Sequence, residues 1–239
     1  MRKLNGYFST HEKVLWSLST ALVFISFLLF DGENYLTLAA SLIGVTSLIF
    51  CAKGNPFGQF LMVIFSLLYG VISFSFSYYG EMLTYLGMTM PMAVVSLISW
   101  LKNPYSKDAP EVKVYQINRK ETIAMFALAF SVTFVFYFIL DFFHTSNLIP
   151  STLSVTTSFL AVYLTYKRSP YYALGYAMND LILILLWGLA SMENQTYISV
   201  VVCFCMFFIN DLYGYFSWKK MELRQTKNLE FLTYEEDTI

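Results

Sequence analysis

Two Asn-Asp pairs, Asn179-Asp180 and Asn210-Asp211, sit inside otherwise apolar runs, the first from Tyr171 to Trp187 and the second from Tyr197 to Trp218. An ionisable group in a membrane-length segment is expensive, so it usually faces a bundle interior or a cavity and marks a substrate path. The bland alternative is helix glue, in which the side chain only hydrogen-bonds a neighbouring helix. Asn179, Leu183 and Trp187 are spaced to stack along one helix face, with Asp180 about one helical step around. An indole about two turns from an amide makes a binding wall for a flat polar ring: the indole stacks, and the amide donates and accepts. Trp187 lies near the end of its run, so an interface anchor is the competing role. Asn210, Tyr213 and Gly214 share a second face; Asp211 joins it or caps a neighbouring helix. Further candidates are Gln59 and Tyr69, and then Met88, Thr89, Pro91 and Met92, where Pro91 frees a backbone carbonyl and hinges its helix.

None of these sets does covalent chemistry. His11 and His144 are expected on opposite sides of a membrane, and no Ser or Cys has an evident His to act as base. A Gly-rich phosphate loop and a Walker Lys are absent, which argues against ATP-driven pumping. Cys51, Cys203 and Cys205 lie in apolar runs, and Cys203-x-Cys205 matches no common zinc spacing, so they are expected to fill the core. No cofactor or metal is implied, no basic patch points to nucleic acid, and an enzyme is the poorest reading. Transport without covalent chemistry fits the polar set.

The elements that must carry these residues are membrane helices. The 239-residue chain is 57% hydrophobic and only 13% charged, about half the charge of a soluble domain, with a mean hydropathy of +0.56. Eight runs approach the ~20 apolar residues a spanning helix needs: 14–30, 36–52, 58–78, 82–101, 121–140, 149–166, 171–192 and 196–218. The first is expected to remain as a helix rather than a cleaved signal, because Asp31-Gly32-Glu33 follows it. Basic residues fall before the first run and in every second loop: Arg2, Lys3 and Lys13; Lys53; Lys102 to Lys120; Lys167 and Arg168; Lys219, Lys220 and Arg224. The alternate loops carry Asp31, Glu33, Glu81, Asp141, His144 and Glu193, and neither Lys nor Arg. The bias supports eight spans and puts both termini in the cytoplasm. Trp100 and Trp218 are expected as interface-belt residues, Tyr78, Tyr79 and Glu81 at the outer mouth with Glu81 as a solvated end residue, and the tail after residue 220 as a solvated, partly disordered end.

The chain also repeats. Phe50-Cys-Ala-Lys53-Gly-Asn-Pro56 is answered by Leu164-Thr-Tyr-Lys167-Arg-Ser-Pro170, and Leu97-Ile-Ser-Trp100-Leu-Lys102 by Tyr215-Phe-Ser-Trp218-Lys-Lys220. The offsets are 114 and 118 residues. Two three-helix units follow, 36–101 and 149–218, joined by a polar loop (102–120) and one linker helix (121–140) that returns the chain so that both copies point the same way. A first helix within 1–35 precedes them, and 219–239 trails. Parallel repeats of this kind are a transporter architecture, with the site between the halves near the midplane.

This 3+1+3 plan resembles the SWEET sugar transporters, and in detail the bacterial PnuC family of nicotinamide riboside transporters. The residues that carry the resemblance are the Lys53 and Lys167 turns, Asn179, Asn210 with Tyr213-Gly-Tyr215, and Trp218 before Lys219-Lys220, over about residues 36–220. The resemblance implies facilitated diffusion of nicotinamide riboside across the bacterial inner membrane, trapping by a cytoplasmic riboside kinase, and a homotrimer. The expected substrate-binding set is Asn179, Trp187, Asn210, Asp180, Gln59, Tyr69, Thr89 and Tyr213: Trp187 or a Tyr to stack on the cationic ring, and the amides for the carboxamide and ribose hydroxyls. A thiamine or sugar carrier on the same plan, or a non-transporting membrane receptor or scaffold, are the alternatives.

Overall fold

The computed structural model describes residues 6–75, 79–106, 110–145 and 147–237, with side chains to residue 228. Arg2, Lys3, Tyr78 and Lys107 lie outside the described residues. Among those described, eight helices are long and apolar enough to cross a membrane: α1 (Thr10–Phe30), α2 (Tyr35–Ala52), α3 (Pro56–Ser75), α4 (Tyr79–Lys102), α5 (Arg119–Phe142), α6 (Leu148–Tyr166), α7 (Tyr172–Ser191) and α8 (Ile198–Asp237). The chain is a multi-pass all-α membrane protein, with α5 linking two like-oriented units, α2–α4 and α6–α8. Each unit packs in the same way: α2 on α3 and α3 on α4, α6 on α7 and α7 on α8. The units then exchange contacts, α2 against α8 and α4 against α6. Their shared interior is the core.

The repeated turns show why the units match. After α2 the Asn55 N–H bonds Phe50 O at 3.0 Å, and after α6 the Ser169 N–H bonds Leu164 O at 3.0 Å. Each turn needs one left-handed residue: Gly54 in the first (φ 65) and Arg168 in the second (φ 56). Glycine is favoured at the first position, since a side-chain carbon there would press on Met221 Cε at 3.0 Å and a β-carbon in this conformation costs about 1–2 kcal/mol. The loop between α4 and α5 ties both turns together: Val112 N–H donates to Gly54 O (2.9 Å) and Tyr115 N–H to Arg168 O (3.1 Å).

α1 precedes the repeats but copies the chemistry of α5. Both helices open with a capping box, Ser9 with Glu12 and Asn118 with Glu121, which satisfies two orphan N–H groups reciprocally. In each, the same glutamate pairs with the lysine of a repeat turn: Glu12 with Lys53 at 3.2 Å, Glu121 with Lys167 at 2.6 Å. The hydrogen bond to Glu121 holds the Lys167 ammonium above its ordinary pKa.

Two expectations are corrected. Trp100 and Trp218 are not belt residues; both are fully buried. Their indoles meet at 5.2 Å, and each donates to a carbonyl of the other unit, Trp100 Nε1 to Thr165 O (2.9 Å) and Trp218 Nε1 to Cys51 O (2.8 Å). Those carbonyls lie in the last turns of α6 and α2, where helical partners run out, so an indole N–H at this depth finds an acceptor inside the protein rather than at a lipid headgroup. The tail is not a loose end either: α8 continues to Asp237. The Gln225 side chain bonds Val114 N–H (2.8 Å) and Val112 O (3.0 Å), and Arg224 pairs with Glu111. A loop with free backbone groups thus holds the extension in place.

Candidate functional site

Tyr69 of α3 is the hub of a buried aromatic cluster drawn from both units. Its ring lies 4.4 Å from Tyr85 of α4, 6.2 Å from Trp187 of α7 and 5.7 Å from Phe204 of α8, and the last two meet it edge-on. Phe65 and Phe207 extend the cluster, 5.4 Å apart. Aromatic edges carry positive and faces negative partial charge, so edge-to-face pairs attract and hold these rings together as a box.

The backbone around Tyr85 is unusual. Tyr85–Thr89 form a π turn, with the Met90 N–H bonded to Tyr85 O. Pro91 follows, and its missing N–H removes an α-helical bond there. The helix irregularity beside Pro91 is thus a π bulge, a feature common at functional sites. It turns Tyr85 and Thr89 inward together, and both are buried.

A polar layer lies next to the box, toward the end of the bundle that carries the basic residues. Asn179 sits about 12 Å along α7 from Trp187, at ~1.5 Å per residue. Its Oδ1 accepts from Thr157 Oγ1 at 3.0 Å and from Ser154 Oγ at 3.4 Å. Asp180 and Asp211, on the adjacent helices α7 and α8, are both buried. Two buried polar atoms of the Asn-Asp pairs have no hydrogen-bond partner, Asp180 Oδ2 and Asn210 Oδ1, and neither has Thr89 Oγ1 on α4. Buried polar groups are nearly always paired, so such orphans are what a polar ligand would satisfy.

The expected residues divide. Tyr69 and Trp187 touch in the box, Asn179 and Asp180 lie in the polar layer, and Thr89 is buried in the π turn of α4. Asn210 points its amide away, Nδ2 donating to Ser19 Oγ of α1 (2.9 Å) and to Met206 O (2.8 Å); only its Oδ1 remains. Gln59 and Tyr213 lie at the basic end. Gln59 Nε2 meets Cys51 Sγ at 3.2 Å, and Tyr213 Oη donates to Glu12 Oε1 at 3.0 Å, where it joins the Lys53 pair. Sequence inspection passed over Tyr85 and Phe204. The signal for Tyr85 was Pro91, whose effect on helical register shifts which upstream side chains face inward. Phe204 gave no signal, being one phenylalanine among 23.

At the other end, a cavity of about 370 Å³ is lined by Glu81, Ser151, Trp187 and Glu193 among others. Trp187 is common to the cavity and the box. Glu81 is buried at 7% exposure, which corrects its expectation as a solvated end residue. Gly80 is the reason: a β-carbon there would meet Leu140 Cδ2 at 2.7 Å and Thr145 Cγ2 at 2.8 Å, so glycine lets the first turn of α4 press inward.

Three comparisons bear on this site. The model of the nicotinamide mononucleotide transporter family matches residues 34–220, so α1 falls outside the match. A nicotinamide riboside transporter PnuC from Neisseria mucosa is 25% identical over 228 residues, covering 91% of this chain and 84% of its own length. The crystal structure of the vitamin B3 transporter PnuC superposes with a TM-score of 0.80 at 24% identity, covering 92% of this chain and 95% of that one. This likeness supports the fold described above.

Proposed function

The chain belongs to the nicotinamide mononucleotide transporter family, and we propose on that premise that it carries nicotinamide riboside across the membrane by facilitated diffusion. The observation that supports this reading most is the ring box around Tyr69, built by two helices of each unit. A site shared between two units opens to either side when the units rock against each other, and this is how repeat-built transporters alternate access. The box takes the cationic nicotinamide ring. Asn179, Thr89, Asp180 and the Asn210 carbonyl oxygen meet the carboxamide and ribose.

The riboside is favoured over the mononucleotide by charge. A phosphate buried in a protein is held by Arg, Lys or backbone N–H groups. Among the described residues no Lys, Arg or His is buried, whereas Glu81, Asp180 and Asp211 are. That interior suits a cation and repels a phosphate. The relative from Neisseria mucosa, named for nicotinamide riboside, points the same way.

The basic end faces the cytoplasm of a bacterial inner membrane in this reading, with both termini inside, and a cytoplasmic riboside kinase traps the substrate. A SWEET-like homotrimer completes it. The exposed phenylalanines of α5, Phe126, Phe130, Phe134 and Phe138, offer a face for lipid or for a second copy. Calorimetry on the purified protein tests the reading, with nicotinamide riboside, nicotinamide mononucleotide and thiamine as ligands. Nicotinamide riboside is expected to bind alone, and Trp187→Phe to weaken it about tenfold through loss of indole stacking. Tighter binding of the mononucleotide or of thiamine overturns the substrate.

A further inference from the structure

The cavity at the acidic end has a charge character that the ring box does not explain. Its acidic lining residues are Glu81 and Glu193, and none of its lining residues is Lys, Arg or His. Glu81 lies in the first turn of α4. A carboxylate at a helix N-terminus commonly caps the free N–H groups there. The Glu81 Oε2 makes no such bond: it is buried without any hydrogen-bond partner. A buried, unpaired carboxylate oxygen is costly and calls for a cation or donor from outside the protein.

The position of this carboxylate connects it to the box. Glu81 stands four residues before Tyr85 on α4, on the same helix face, and Tyr85 meets the Tyr69 ring in the box. Trp187 lines the cavity and also meets the Tyr69 ring. A ligand in the cavity thus has Glu81 beside it and the indole between it and the box. We propose that this cavity is an outer holding site for the positively charged aromatic ring of the substrate, with Glu81 as the residue that selects for the positive charge before the ring passes Trp187. Glu193, on the same wall at the end of α7, adds negative potential without being buried. The inference rests on the transport reading above and deepens it: the box recognises a flat ring and hydroxyls, and Glu81 reads the charge.

The test separates charge from shape. Nicotinamide riboside and its reduced dihydro form have nearly the same outline, but only the oxidised ring is cationic. Uptake of both into proteoliposomes is compared for the unaltered protein, Glu81→Gln, Glu81→Asp and Glu193→Gln, with thermal unfolding in detergent as a check on folding. Glu81→Gln is expected to raise KM for the cation about tenfold, the scale of one partly screened charge pair, with the maximal rate and the KM for the neutral form unchanged. Glu81→Asp should restore most of the preference, and Glu193→Gln should change it about twofold or less. Equal changes for both ligands, or none for either, overturn the proposal. If the unaltered protein takes up neither form, the transport reading fails instead. Binding of 1-methylnicotinamide against neutral nicotinamide, measured by calorimetry on the same variants, then decides the holding site on its own.

Discussion

Trp100 reaches from the first unit to the Thr165 carbonyl of the second, and Trp218 returns the same hydrogen bond to Cys51 of the first. At this end the units also share the lysine turn, its left-handed residue and the glutamate that meets it. The interior differs. Carried back by the turn offset of 114 residues, Asn179 and Asp180 fall on Phe65 and Ser66; carried back by the tryptophan offset of 118, Asn210 and Asp211 fall on Met92 and Ala93. The second unit supplies amides and carboxyls, and the first supplies Tyr69, Tyr85 and a π turn. The basic end solves one packing problem twice, so its solution was kept twice. A nucleoside has a ring at one end and a sugar at the other, so a pocket between two units can fit it only if the units differ.

The tryptophan exchange is the strongest claim of equivalence. Trp100→Ala and Trp218→Ala should each cost about 3–5 kcal/mol, as for large buried aromatics, and should match within about 1 kcal/mol. Denaturant unfolding in detergent checks this, and one silent member of the pair would break the symmetry.

The lysine pairs should separate where the tryptophans agree. The Glu12 side chain is only 5% exposed and that of Glu121 is 20%. Lys53→Ala leaves a nearly buried carboxylate with Ser9 and Tyr213 alone and should cost about 1–3 kcal/mol. Lys167→Ala removes a pair closer to solvent and should cost clearly less than Lys53→Ala. Equal losses in the same unfolding assay would mean that burial does not distinguish the two ends of the repeat.

The smallest effect has opposite signs in the two units. Arg168→Gly relieves a side chain from the left-handed region and should raise stability by about 1 kcal/mol. Gly54→Ala, at the equivalent position, should lower stability by at least as much, because it adds both backbone strain and the Met221 contact. Differential scanning of the two variants side by side reads the difference, and a gain from both would show that the turns are not equivalent.

Much of the architecture was legible from residue types and spacing. Eight spans, their alternation and the two parallel units follow from apolar length, lysine placement and the repeated turns, all local quantities. The family was legible in the same short motifs. The depth of Trp100, Trp218 and Glu81 was not, because each lies near a helix end. Whether an end residue meets lipid, water or another helix depends on what packs there: the α2 and α6 carbonyls for the tryptophans, and the closeness allowed by Gly80 for Glu81. Asn210 and Asn179 look alike in sequence, yet one turns its amide to Ser19 of α1 and the other accepts from Thr157 of α6. The sequence by itself determined which segments enter the membrane, since burial of apolar length needs no partner to be specified. Only the tertiary structure decided which polar groups face the space between the units, because a helix has several faces and its neighbours choose among them.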